Sequence, residues 1–233
     1  MKSISIVMPA LNEEEGIRDT MLSIPVGKLK KLGFEVEILV VDGSSTDNTV
    51  AIARELGARV INSERGYGRQ YKNGFKVAKG EIIITGDSDG TYPFEEILEY
   101  LEIFESKNLE FVTVNRFARM GGDAMYLSNK IGNFGLTLFT NILFGFHIND
   151  SQSGMWIIKK SSLPTLRVQS DGMPFSQEIK IEAFTKLRSL EISGSYKKRL
   201  GSTKLSKIND GVRNLLWLFR KKFVKTSSEY NLG

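Results

Sequence analysis

The chain contains no cysteine, which excludes disulfides, thiolate zinc sites and a cysteine nucleophile, and leaves a reducing compartment permitted. Its single histidine, His147, stands in apolar text, where a packed or interfacial ring is the expected role rather than a catalytic base. No G-x-x-x-x-G-K-[ST] stretch occurs, so P-loop phosphate chemistry is excluded. Repeats, low-complexity tracts and linker-like segments are missing as well, which argues for one domain. The nearest approach to a membrane span is residues 131–149, "IGNFGLTLFTNILFGFHIN". Asn133, Asn141 and the interspersed glycines make that segment read as a buried or interfacial helix.

What is present fits an ordinary globular protein: 233 residues, 41% hydrophobic and 25% charged, enough to bury a core without staples. The net charge is +5, and the excess gathers late, in "KKRLGSTKLSK" and "RKKFVK". That asymmetry points to an anionic partner such as a nucleotide phosphate, a lipid headgroup or nucleic acid. The opening text "MKSISIVMPALNEEEG" places acids directly behind a short apolar run, so it reads as a first strand and not a signal peptide.

Short Val- and Ile-rich runs at 3–8, 36–41, 58–62, 81–85 and 110–114 predict strands. Segments of helical period at 13–24, 47–56, 67–78 and 94–104 separate them. Such alternation implies a parallel sheet wound by right-handed crossovers, a Rossmann-like nucleotide-binding layer. Later, "MWIIKK" and "SLEISGSY" predict strands around a helix in "FSQEIKIEAFTKL". A last helix, about 208–225, aligns Val212, Leu215, Leu216, Phe219 and Phe223 among Arg213, Arg220, Lys221, Lys222 and Lys225. It suits either packing on the core or rest on an anionic membrane.

Ligands of open α/β sheets bind outside the carboxyl ends of the strands. Glu13, Asp42 and the pair Asp87 and Asp89 stand at such exits. Asp47 and Ser45 are better read as capping residues. Two carboxylates one residue apart in a tight turn can both face outward and bridge Mg²⁺ or Mn²⁺, which prefer oxygen ligands and pair carboxylates with substrate phosphates. The glycine-rich "RGYGRQYKNG" lacks the full G-x-G-x-x-G and is weak taken alone.

The strings "IVMPALNEEEGI", "VVDGSSTDNT" and "GYGRQYKNGFKVAKGEIIITGDSDGTYP" resemble family-2 glycosyltransferases of the GT-A fold. The likeness is greatest to the branch that makes dolichyl- or polyprenyl-phosphate hexoses, such as mannose and glucose. It covers roughly residues 3–205 and implies one domain: a nucleotide-sugar half to about 115, an acceptor half from 116 to 205, and the basic helix. Carried over, it implies that Pro9, Ala10, Glu13, Asp42, Arg69, Asp87 and Ser88 bind the nucleotide sugar. Asp87 and Asp89 match the family's D-x-D, with Asp89 the direct ligand of Mg²⁺ or Mn²⁺. Many relatives read "VVDDGSTD" where this chain reads "VVDGSSTD", so the second acid is missing and base recognition is left open.

"VNRFARMGGD" resembles the segment that offers a basic residue to the acceptor phosphate, here Arg116, with Arg119 and Lys130 as further candidates. "NDSQSGMW" resembles the D-x-x-S-G turn, so Asp150 and Ser153 are expected at the acceptor cavity. "RLGSTKL" resembles a loop that closes over the diphosphate with Arg199, Ser202 and Lys204. The expected reaction is inverting transfer of a hexose from GDP-mannose or a UDP-hexose to a polyprenyl or dolichyl phosphate. A lipid phosphate is largely dianionic at neutral pH and needs no strong base; a hydroxyl acceptor would need one, for which Asp150 is the candidate. Alternatives are a soluble family-2 enzyme using a sugar or small hydroxyl acceptor, and a non-catalytic nucleotide-sugar-binding or membrane-adapter protein. Trp156 and Trp217 are expected as core or interface anchors. The resemblance implies a cytoplasmic protein held peripherally on a membrane's cytoplasmic face; no nucleic-acid recognition motif is present, and the sequence sets no oligomeric state.

Overall fold

A computed structural model describes residues 2–121, 124–201 and 207–223, except for the side chains of 207–210. Alternation of period two builds the first strand, β1 (Ser3–Ala10): Ile4, Ile6 and Met8 enter one core cluster while Val7 enters the other. β2 (Glu35–Asp42), β3 (Arg59–Asn62) and β4 (Ile82–Thr85) join it in parallel. β5 (Phe111–Met120), β6 (Trp156–Lys159) and β7 (Ser189–Tyr196) complete a sheet of order β3-β2-β1-β4-β6-β5-β7. Only β6 runs antiparallel, against both β4 and β5. The sheet is therefore mixed and mostly parallel, with helices on both faces, as the resemblance implies.

Helices α1 (Ile17–Ser23), α2 (Val26–Lys31), α3 (Thr49–Glu55), α4 (Tyr67–Val77) and α5 (Ile97–Ser106) connect the first strands. The helix predicted over 13–24 is shorter and divided. Asn12 takes a left-handed φ of 54° and delays its start. Pro25 then forces Ile24 into an extended conformation and opens α2, which periodicity alone did not indicate. On α4, Gly74 lets the helix lie directly on the sheet: a Cβ there would stand 2.5 Å from Val7 Cγ1.

β5 runs farther than expected, and its pairing with β7 shifts register between Asn115 and Arg119. By period two Arg116 falls on the face of Val112 and Val114, opposite Arg119. Beyond β5 come α6 (Leu127–Phe144), α7 (Phe175–Lys186) and α8 (Lys207–Phe223). α6 ends at Gly145, whose left-handed φ of 73° closes the helix. α6 and α8 pack on each other, with the Phe139 and Phe219 rings 6.2 Å apart at the seam.

Both helices leave apolar faces outside. Ile131, Phe134, Leu138 and Ile142 are exposed on α6, and Val212, Leu216, Phe219 and Phe223 on α8. The inward side of α8 is instead made by Asn214 and Leu218. So the apolar row expected from the α8 sequence is largely not its core-facing row. Among the described residues no helix is long and apolar enough to cross a membrane. Trp156 is fully buried, as expected, whereas His147 lies exposed just beyond α6.

Candidate active site

Strand β4 ends in a glycine-flanked turn that is fixed from several sides. Ser88 Oγ donates to the Pro9 carbonyl over 2.8 Å, tying the turn to the exit of β1. Gly90 takes φ +80° and donates its N–H to Thr20 Oγ1 over 2.9 Å. Glycine is suited to that backbone conformation. The turn aims Asp87 and Asp89 into a cavity of about 1010 Å³ at the carboxyl edge of the sheet.

Asp89 Oδ1 accepts from Thr91 N–H and Oγ1, while Oδ2 receives Arg199. Arg199 also pairs with Glu13, so one guanidinium lies between carboxylates from the exits of β1 and β4. Asp87 Oδ1 accepts the Tyr67 hydroxyl over 3.0 Å. No hydrogen bond reaches Asp87 Oδ2 from the described residues. Burial, then the neighbouring Asp89, push the Asp87 carboxyl well above its ordinary range, against the Tyr67 hydroxyl and Arg199. Burial, partly offset by Arg199 and reinforced by Asp89, raises Glu13 to about 7.

Burial disfavours the charged form of both acids and the neighbouring carboxylates add to it, which is what raises their proton affinity. Hard oxygen donors, one unengaged and one held by an exchangeable guanidinium, fit Mg²⁺ or Mn²⁺ completed by substrate phosphates. Among the described residues no ready-made group of three ligands exists. The fit is therefore to a shared site and not to a closed protein cage.

The other strand exits serve differently. Asp42 accepts N–H groups from Ser44 and Ser45, so its carboxylate organises its own turn. Gln70 donates to the carbonyls of Ala10 and Val41, latching β1 to β2. Gly43 sits under that latch, where a Cβ would lie 3.1 Å from Gln70. A side chain at 43 would therefore press on the latch. Arg69 is half-buried on α4 and paired with Glu64 and Asp171.

Across the cavity, Arg116 is grasped by Asp150 through Nε at 2.7 Å and Nη2 at 2.9 Å. Its guanidinium lies 5.2 Å from the Tyr196 ring centroid. Asp150 is 0% exposed. Burial disfavours its charge, but Arg116 and then Lys180 outweigh this and hold the carboxyl below its usual range. Lys180, itself fully buried, donates to the Asp150 carbonyl over 2.8 Å. Burial lowers its ammonium to about 7.

This corrects the role expected for Asp150: a carboxylate chelated by arginine and stabilised as an anion anchors Arg116 and is a poor general base. Arg119 is corrected as well, because it points to Glu99 on the surface and does not line the cavity. Ser153 is buried, with its hydroxyl accepting from Met155 N–H. It shapes the turn and does not line the cavity. Lys130 does line it, from α6. Ser202 and Lys204 lie outside the described residues.

The sequence did not single out Tyr67, Tyr92, Gln152, Tyr196 and Asn214 as site residues, yet all line the same cavity. Tyr67 lies within the glycine-rich stretch and could have been found there. The others are joined only by the fold.

Residues 5–167 match glycosyl transferase family 2. The chain belongs to that family. This family-2 glycosyltransferase is 34% identical over 220 residues to the low-salt glycan biosynthesis hexosyltransferase Agl6 of Haloferax volcanii. That match takes in 93% of this chain but 53% of the relative's length. It is 28% identical to the dolichyl-phosphate hexose transferase of the same organism, over 89% of each chain. Its fold matches glucosyl-3-phosphoglycerate synthase of Mycobacterium tuberculosis, solved with Mn²⁺, UDP-glucose and glycerol 3-phosphate, with a TM-score of 0.76 at 19% identity, over 99% of this chain and 86% of that one. The expected GT-A fold is thus the observed one.

Proposed function

We propose that this glycosyltransferase moves a hexose from a nucleoside-diphosphate sugar to a polyprenyl or dolichyl phosphate, with inversion. The observation that carries the reading is a single cavity in which Asp87 and Asp89 stand on one side and the anchored Arg116 on the other, with Lys130 at its wall. Acids suit the donor's cation and diphosphate, and basic groups suit an anionic acceptor. The dolichyl-phosphate hexose transferase of Haloferax volcanii supports the same acceptor class.

In this reaction an acceptor phosphate oxygen forms the bond to the anomeric carbon. The bond from that carbon to the diphosphate breaks, and its electron pair leaves with the nucleoside diphosphate. Asp87 and Asp89 would hold Mg²⁺ or Mn²⁺, which neutralises the leaving diphosphate. Arg116 orients the acceptor phosphate, and Arg199 follows the charge on the donor side; both act by position and electrostatics. A phosphate dianion needs no base, which agrees with Asp150 being committed to Arg116.

The outward apolar faces of α6 and α8 flank the same cavity and carry exposed Arg213, Arg220 and Lys222 beside them. Phe134 is 69% exposed and Leu216 64%. Such faces suit peripheral seating on an anionic membrane, from which a lipid phosphate enters the cavity. A cytoplasmic-face location follows from this reading.

The test is sugar transfer by purified protein from UDP-glucose, UDP-N-acetylglucosamine and GDP-mannose, with Mn²⁺, to a short polyprenyl phosphate or to free sugars. The expected product forms only with the polyprenyl phosphate. Asp89→Ala is expected to lower turnover by about 10²–10³-fold, as loss of a preorganised electrostatic group does. Transfer to sugars alone, or unchanged turnover in Asp89→Ala, would contradict the reading.

A further inference from the structure

Asn214 is an odd residue for the buried side of α8. It is 5% exposed, and Leu218, one turn farther, is fully buried. An apolar side chain would pack there without desolvating an amide, and asparagine is a poor helix former. Its Nδ2 donates to Gln152 Oε1 over 2.9 Å. Gln152 Nε2 donates in turn to Ser151 Oγ over 2.8 Å, and that hydroxyl receives Thr137 Oγ1 of α6 over 3.0 Å. An uncharged chain of hydrogen bonds thus fixes the amide between two helices and the turn that enters β6.

One atom of this network is unmet. Asn214 Oδ1 is buried and accepts no hydrogen bond among the described residues, while Asn214 and Gln152 both line the cavity of the active site. Buried amide oxygens are normally satisfied, so an unmet one on a side chain that lines a binding cavity calls for a donor from the ligand. Phosphate dianions have no proton to give, and the cavity already offers Arg116, Lys130 and Arg199 to them. A hydroxyl does have one.

The position selects which hydroxyl. The Gln152 turn continues into Gly154, where a Cβ would lie 3.4 Å from Asp87 Oδ1. The turn therefore borders the diphosphate end of the site on the β6 side of β4, whereas β1 and β2 leave the sheet on the other side. We infer that Asn214, held in place by Gln152, accepts a hydrogen bond from a hydroxyl of the transferred hexose and contributes to the choice of sugar. This rests on the donor reading above and adds a residue from α8 to it.

Calorimetric titration with Mn²⁺ tests it, comparing UDP-glucose with UDP and GDP-mannose with GDP, in the wild type and in Asn214→Leu. A lost hydrogen bond that leaves a buried group unpaired typically costs about 5- to 150-fold in affinity. The sugar nucleotide is expected to weaken by that factor in the variant, while the matching diphosphate is unchanged. In the wild type, removing a single hydroxyl from the bound sugar, using the set of monodeoxy analogues, reproduces the loss at one ring position. That arm does not depend on the variant folding. Sugar nucleotides that bind with no position-specific loss in the wild type overturn the inference and leave the donor reading intact. Failure of every sugar nucleotide and diphosphate to bind the folded wild type overturns both.

Discussion

The two sides of the cavity hold their charges in opposite ways. On the acceptor side, Arg116 and Asp150 satisfy one another with paired hydrogen bonds, and Lys180 and the Tyr196 ring complete the surroundings. On the donor side, Glu13 and Asp89 share one arginine with Asp87 close by, and Glu13 and Asp87 have raised proton affinity. The first arrangement is finished in the folded chain; the second is completed by a ligand. A buried ion pair that is complete positions a group, whereas an excess of carboxylates stores affinity for a cation.

The largest expected effect comes from breaking the finished side. Asp150→Ala strands the Arg116 charge in a buried site and is expected to cost about 3–5 kcal/mol of stability in denaturant unfolding. Near-native stability would mean that Arg116 finds water or another partner. The donor side predicts a pH effect of intermediate size. Glu13 titrates at about 7 in the fold against 4.5 in the unfolded chain, and Asp87 is raised in the same direction. As pH rises from about 4.5 to 7, the unfolded chain releases these protons first, so the stability of the ligand-free protein declines through that window. Affinity for Mn²⁺ with UDP moves oppositely, rising towards pH 7 and levelling above it. Unfolding and titration across pH 5–8 check both signs. The smallest effect belongs to Arg119→Ala, which removes only an exposed pair with Glu99 and is expected to leave transfer within about twofold. A large loss would return Arg119 to the acceptor site.

The donor side was legible because its parts are local. Alternating apolar strands ended in acids, and the glycines flanking Asp87 and Asp89 marked the turn that aims them. The acceptor side was less so. Arg116 and Asp150 are 34 residues apart, and nothing in either segment says that one carboxylate will be consumed by one guanidinium. Arg116 and Arg119 fall on opposite faces by period two, but the Asn115 to Arg119 register shift depends on pairing with β7. Asn214 was not singled out in the sequence, because its contact with Gln152 exists only once α8 lies against that turn. The α8 apolar row was visible, but which side faces the core was decided by contact with α6.

The measurement closest to the central claim is calorimetric binding of UDP-glucose and GDP-mannose to the wild type, with Mn²⁺ and with the cation removed by chelation. If the donor side is an unfinished charge cluster, binding is tight only with the cation, and Asp89→Asn weakens it towards the chelated level. Equal affinity with and without Mn²⁺ would contradict the account.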